Sequence, residues 1–147
     1  MPEAAIDTTV LRRANVALEG NRASAKLLAR RLSLLQRIQR REITILLSKR
    51  LLQEYREQLP IPLNEFVRAF LEIVTTPDGR HVLMNWKNPW SGGDRSRARG
   101  CRFPEEDDHV LRTAIRGQRT AIYSEENRML MTDDCIYREF RVHVQEP

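Results

Sequence analysis

The sequence predicts an α/β fold, a three-layer sandwich in which helices cover both faces of a mostly parallel sheet. Short apolar runs alternate with amphipathic helical patterns along the chain. The run "ITILL" (43–47) is continuous and β-branched, as strands buried on both faces usually are. The length of 147 residues fits one domain that spans residues 1–147.

The first half of the chain predicts two strands and three helices. "EAAIDTT" (3–9) is a short apolar run that indicates a buried strand opening into a loop. Apolar residues at helical spacing follow Asn21, which can cap a helix start. Ser48 stands where a second helix would be capped. The remaining predicted elements are a helix at 21–42, a strand at 43–47, a helix at 49–59 and a helix at 63–74.

The second half predicts a weaker strand, a long loop and then regular structure again. Gly, Pro and Arg dominate residues 87–103, which indicates a polar, basic loop. The alternating run at 138–145 predicts a last strand at the edge of the sheet. The other predicted elements are a turn at 76–79, a strand at 80–86, a helix at 107–117, a strand at 120–124 and a turn or short helix at 125–131.

The net charge of +5 is concentrated in two stretches. Residues 22–41 contain Arg and Lys but no acid, and residues 80–102 contain Asp94 as their one acid. Such a separation of basic from acidic residues predicts a polyanionic partner held on one surface of the protein. A helix face and a loop that are simply exposed to solvent would show the same pattern.

Membrane and secretory signals are missing from the sequence. No apolar run approaches the length of a membrane span, and the opening residues lack a secretory pattern, so no membrane association is predicted. Cys101 and Cys135 fit no metal spacing and no disulfide framework. A reducing, cytoplasmic location is therefore predicted.

Carboxylates fall where the predicted strands end. Asp7 follows the first strand, and the carboxyl ends of parallel strands border the ligand site in such sheets. Crowded carboxylates repel one another unless a cation joins them, and Mg²⁺ or Mn²⁺ prefers oxygen ligands. Helix capping remains the alternative for the acids at the helix start. The acids that converge are Asp7, Asp107, Asp108, Glu125 and Glu126, and Glu54 joins them if the first turns of its helix border the same end of the sheet.

Four segments resemble the motifs of PIN-domain nucleases, in the same order and at similar spacing over nearly the whole chain. These segments are "AIDTTVL", "LLSKRLLQEYREQL", "EEDDHVLRTAIRG" and "AIYSEENRML". The resemblance implies a Rossmann-like parallel sheet and a Mg²⁺- or Mn²⁺-dependent endoribonuclease that acts on RNA. Such enzymes are commonly the toxin of a toxin–antitoxin pair, so an antitoxin protein and a homodimer are implied as partners.

The resemblance also implies roles for individual residues. Asp108 is preferred to Asp107 as a metal ligand because it stands three residues before Leu111, where the family pattern has its acid. Ser124 would orient a ligand or a water, and Thr8 would support Asp7. The implied catalytic and metal-binding set is Asp7, Glu54, Asp108 and Glu126, with Asp107 as a further metal ligand.

Three departures from the family pattern bear on activity. Thr9 replaces the usual Asn, Glu125 replaces the usual Gly, and Glu126 is one methylene longer than the usual Asp. A catalytically weak PIN-like module that binds RNA or a protein partner is therefore the alternative. An unrelated nucleotide-binding domain is a further alternative, which the lack of a Gly-rich phosphate loop disfavours.

The basic loop at 87–103 has no counterpart in the motifs. Its Trp90 could stack on unpaired bases while its arginines hold phosphates. A lid whose Trp residues pack on the core would explain the same composition. The residues predicted to bind nucleic acid are Trp90, Arg95, Arg97, Arg99 and Arg102. The scattered histidines, His109 among them, are predicted to be non-catalytic.

Overall fold

Five parallel strands form one sheet in the described part of the chain. The computed structural model describes residues 2–19, 25–76, 82–84, 90–115 and 120–147. The strand order is β3-β2-β1-β4-β5, and every neighbouring pair is parallel. The strands are β1 (Glu3–Ile6), β2 (Thr44–Leu47), β3 (Val82–Met84), β4 (Thr120–Tyr123) and β5 (Val142–Gln145). The predicted α/β class and parallel sheet are confirmed.

Eight α-helices and one 3-10 helix lie around this sheet in the described residues. They are α1 (Thr8–Ala14), α2 (Ala25–Gln39), α3 (Lys49–Gln58), α4 (Glu65–Thr75), α5 (Gly92–Gly100), the 3-10 helix Glu105–Asp107, α6 (Asp108–Ala114), α7 (Asn127–Leu130) and α8 (Asp133–Phe140). Helix α6 packs on β1, β2 and β4, whereas α2 packs on α1 and α4. This layering is compatible with a three-layer sandwich. None of these helices is long and apolar enough to cross a membrane.

Side-chain caps fix where the helices near β1 begin. Ser48 accepts a hydrogen bond from the N–H of Leu51 (3.2 Å) and starts α3. Asn64 accepts from the N–H of Val67 (3.0 Å), and its amide donates to the carbonyl of Ala14 at 2.7 Å. One Asn therefore begins α4 and ties it to the end of α1.

The strand order reverses direction at β1 and β4. From β1 the chain adds β2 and β3 on one side, and it later adds β4 and β5 on the other. Ligand sites in open parallel sheets lie outside the carboxyl ends of the strands at such a reversal. Asp7 directly follows β1, and Ser124 directly follows β4.

Two helices replace predicted loops. Helix α1 (Thr8–Ala14) begins where the first strand was predicted to open into a loop. Its Val10, Leu11 and Ala14 are fully buried, so packing outweighs the poor helix propensity of two Thr residues. The prediction of a loop at 87–103 is wrong over α5, which starts with a capping box between Ser91 and Asp94.

The predicted strand at 138–145 is wrong at its start. Helix α8 continues to Phe140, and β5 begins only at Val142. Arg141, with φ of 61°, makes the left-handed turn between them. Glycine or Asn usually occupies that conformation, so the sequence gives no sign of this helix end. Asn21, Trp86 and most of the turn at 76–79 lie outside the described residues.

Cys101 and Cys135 form a disulfide, contrary to the sequence prediction. The S–S distance is 2.00 Å, and the bond joins the end of α5 to α8. The guanidinium of Arg97 also reaches α8, where it donates to the carbonyl of Glu139 (2.8 Å) and lies 4.5 Å from the ring centre of Phe140. The cytoplasmic location stays a prediction, but it loses its argument from reduced cysteines.

Candidate metal centre

Asp7 is a buried carboxylate held by two hydroxyl groups. It is 2% exposed, and its N–H donates to the carbonyl of Tyr123 (2.9 Å) across the β1–β4 boundary. Its Oδ2 accepts from Thr9 Oγ1 (2.6 Å) and Ser124 Oγ (2.9 Å). Burial raises the pKa of Asp7, and these two hydrogen bonds oppose the rise.

The same two hydroxyls fix the loop after β4. Ser124 Oγ accepts the N–H of Glu126 (3.0 Å), and Thr9 Oγ1 accepts the N–H of Glu125 (3.2 Å). The segment after β4 is thereby aligned with the start of α1. Ser124, predicted to orient a ligand, orients Asp7.

Glu54 reaches the centre from α3. Its neighbour Tyr55 is fully buried and donates to the carbonyl of Ile6 (2.5 Å), which fixes α3 against the end of β1. Thr8, predicted to support Asp7, instead donates to Oε1 of Glu54 (2.7 Å).

His109 lies on the other side of Glu54. Its Nε2 lies 2.5 Å from Oε2 of Glu54. Burial pushes the pKa of Glu54 upward, but His109, Thr8 and Arg50 together hold it below its ordinary value. From the sequence, His109 is predicted to be non-catalytic. Its contact with an acid 55 positions earlier leaves no local signal.

Glu106, Asp107 and Glu126 form the tightest group of carboxylates. One oxygen from each lies within 4.8 Å of the others. Oδ2 of Asp107 is buried and has no hydrogen-bond partner. Burial, Glu126 and Asp7 raise the pKa of Asp107 to about 8, so it holds a proton when no cation is present. Glu106 was not predicted from the sequence.

Asp108 has a different environment from Asp107. It is paired with Arg99 through Oδ1. Burial raises the pKa of Asp108, and Arg99 opposes the rise. The sequence preferred Asp108 as a ligand, but the geometry gives Asp107 the position beside Asp7 and Glu126. The 3-10 helix that ends at Asp107 sets this orientation.

Glu125 faces away from the acidic group. Its carboxylate accepts two hydrogen bonds of 2.7 Å from Arg31 on α2, and Arg13 lies 3.5 Å away. The charge that the sequence adds at this position is therefore neutralised by α2. It does not add to the repulsion among the other acids.

The residues predicted to bind nucleic acid on 87–103 divide into two sets. Arg97 pairs with Asp94, and Arg99 pairs with Asp108. Trp90 packs against the core, with the guanidinium of Arg112 over its ring at 5.6 Å. Arg95 and Arg102 are exposed. Much of the basic segment thus stabilises the fold around α5.

The donors present fit a hard divalent cation. Asp7, Glu54, Asp107 and Glu126 offer carboxylate oxygens alone, and the buried oxygen of Asp107 has no partner. Mg²⁺ and Mn²⁺ prefer such ligands. No family model, curated protein or solved structure matches the chain. The resemblance to PIN-domain nucleases therefore rests on the four sequence motifs.

Proposed function

We propose that the chain is a metal-dependent endoribonuclease of the PIN type, which hydrolyses RNA phosphodiester bonds. The observation that supports this is the group formed by Glu106, Asp107 and Glu126, with Asp7 near enough for its charge to raise the pKa of Asp107. Asp7, Glu54 and Glu126 each come from a different segment, and Asp107 interacts with two of them. Carboxylates gathered at a strand reversal form a site for a cation and a phosphate ligand.

Each acid has its own part in holding Mg²⁺ or Mn²⁺. Asp7 is kept in one orientation by Thr9 and Ser124, so it provides a fixed oxygen. Asp107 would give up its proton to hold the ion, and Glu126 would supply a further carboxylate oxygen beside it. A bound Mg²⁺ or Mn²⁺ would supply a lower pKa for an attacking water and would offset charge on the leaving oxygen. Glu54 is already ionised, because its pKa is lowered.

We also propose that the nuclease is the toxin of a toxin–antitoxin pair, with an antitoxin protein as its partner and a homodimer as its assembly. The four motifs of the sequence support this part of the proposal. Detection of a small protein that co-purifies with the chain and stops its cleavage of RNA would test it.

The test of the activity compares RNA cleavage in Mn²⁺, Mg²⁺ and EDTA. Purified protein is mixed with a pool of single-stranded and structured RNA, and Asp7→Asn is assayed beside it. Asp134→Asn is the matched control, because Asp134 is an exposed Asp on α8. Metal-dependent cutting that Asp7→Asn abolishes and Asp134→Asn retains supports the proposal. A folded protein that never cuts RNA refutes it.

One observation favours the second candidate, a catalytically weak module that binds RNA or a protein. Asp108 already has Arg99 as a partner, and Glu54 already has His109 and Thr8. These contacts compete with metal coordination. Mn²⁺ binding by calorimetry without any cleavage would identify this candidate.

A further inference from the structure

A basic groove runs along the exposed side of α2. Lys26, Arg30 and Arg37 line a cavity of about 450 Å³ between α2 and the end of β4. A second cavity of about 210 Å³ shares Arg30 and Pro147 with the first. The two cavities together are called the α2 groove.

The α2 groove reaches the segment after β4 that carries Glu126. Its smaller part is lined by Arg13 of α1 and by Glu125 and Asn127. Those last two residues flank Glu126, whose carboxylate belongs to the acidic group. A chain lying in the groove would therefore contact the segment that carries Glu126.

The charge of the groove is positive. Its cations are Arg13, Lys26, Arg30 and Arg37. Glu125 is neutralised by the buried Arg31, which leaves Glu146 as the other acid on the wall. A row of cations beside an acidic centre is suited to a phosphate backbone, because each contact releases condensed counterions from the nucleic acid.

An aromatic residue also lines the larger part of the groove. Tyr123 is the last residue of β4, is half-buried, and lines the same cavity as Arg30 and Arg37. Stacking on an aromatic ring needs an unpaired base, which a duplex does not present. The pairing of one ring with a row of cations favours a single strand over a duplex.

We propose that the α2 groove binds single-stranded RNA, with the backbone phosphates on Arg30, Arg37 and Lys26 and one base on Tyr123. The groove delivers the strand to the metal centre. This inference rests on the proposed function, because it supplies that function with its substrate path and with a preference for unpaired RNA.

The test measures binding of a labelled short single-stranded RNA in EDTA, where cleavage does not interfere. The groove variant is Arg30→Glu with Arg37→Glu. The matched control is Arg56→Glu with Arg68→Glu, since these exposed arginines of α3 and α4 line neither part of the groove. Loss of two phosphate contacts lowers the log–log salt slope of the single-strand affinity by about 1.4.

The groove variant is expected to bind RNA at least about tenfold more weakly than the control variant. Tyr123→Leu is expected to weaken binding by about tenfold through lost stacking. Groove and control variants that bind RNA equally would overturn the proposal. So would a duplex RNA that binds better than the single strand, or a polyglutamate peptide that occupies the groove while RNA does not.

Cleavage in Mn²⁺ separates this inference from the proposed function. RNA binding that depends on Arg30 and Arg37, in a protein that never cuts, supports the groove and refutes the nuclease. Metal-dependent cutting with the same KM in both double variants supports the nuclease and overturns the groove.

Discussion

Arg31 on α2 and Glu125 after β4 form a buried ion pair with two parallel hydrogen bonds of 2.7 Å each. About a tenth of each side chain is exposed, 10% for Arg31 and 9% for Glu125. The N–H of Glu125 also donates to Thr9, whose hydroxyl holds Asp7. The ion pair therefore sets the position of α2 relative to the acidic centre.

Removal of one partner of this pair should destabilise the protein. Arg31→Met leaves the carboxylate of Glu125 buried with the exposed Arg13 as its remaining partner, which should lower the free energy of unfolding by about 3–5 kcal/mol. Urea unfolding in EDTA measures this change. Arg30→Met on the exposed face is the control and should change stability by about 0.5 kcal/mol or less. A loss as small as the control's would show that the pair does not hold α2.

The metal-free protein should lose stability as the pH rises from about 4 to about 8. The pKa of Asp107 is raised from 3.8 to about 8 by burial and by Glu126, Asp7 and Glu106. The folded chain keeps a proton that the unfolded chain releases, so folding is favoured below this window and weakened through it. The lowered pKa of Glu54 makes folding stability rise with pH instead of fall. This contribution is confined to more acidic pH, because the pKa of Glu54 lies below its ordinary value.

Urea unfolding in EDTA at the two pH values tests this dependence. Asp107→Asn should flatten it, because the amide does not titrate. Addition of Mn²⁺ should restore stability at the higher pH by binding the ionised carboxylates. A wild-type protein that gains stability toward pH 8 without metal would contradict the raised pKa of Asp107 as the cause of the pH dependence.

Ser124→Ala should move metal binding to higher pH. Its hydroxyl donates to Asp7, and that hydrogen bond lowers a pKa that burial raises. Without the donor the pKa of Asp7 rises further, so Mn²⁺ competes with a more tightly held proton. Calorimetry at a series of pH values measures the Mn²⁺ affinity and gives the pH midpoint at which metal binding is half-maximal. The exposed Ser96→Ala on α5 should leave it unchanged, and an unmoved midpoint in Ser124→Ala would contradict this role.

Reduction of the disulfide should destabilise the fold. The bond spans 34 positions, and the loop-entropy relation gives about 4 kcal/mol for a loop of that size. Thermal unfolding with and without a reductant measures the change. The double variant Cys101→Ala with Cys135→Ala should unfold at the same temperature in both conditions. If the wild-type protein unfolds at the same temperature with and without a reductant, the disulfide does not stabilise the fold.

The alternation of apolar runs and amphipathic helices was enough to predict the sheet and most helices. The strands 43–47 and 120–124 and the cap at Ser48 depend on local patterns, which a sequence displays directly. Helix α5 could also have been found. Its Ser91 and Asp94 form a capping box, but the Gly and Arg residues around them are typical of loops.

Other features depend on contacts between distant positions. Arg31 meets Glu125 across 94 positions, and Cys101 meets Cys135 only because α5 lies against α8. The choice of Asp107 over Asp108 depends on a 3-10 turn of three residues. A shift of one residue there rotates a different carboxylate into the centre, and periodicity does not fix a boundary that sharply.

Some residues of the acidic centre lie inside the loop that the disulfide closes, and the others lie outside it. The segment that it closes, 101–135, contains Asp107, Ser124 and Glu126, whereas Asp7 and Glu54 lie outside it. A protease that cuts once within this segment leaves the two fragments bonded to each other. Such a nicked molecule would migrate as an intact chain on a denaturing gel until a reductant released its halves, so the carboxylates from both sides could stay assembled after the backbone is broken.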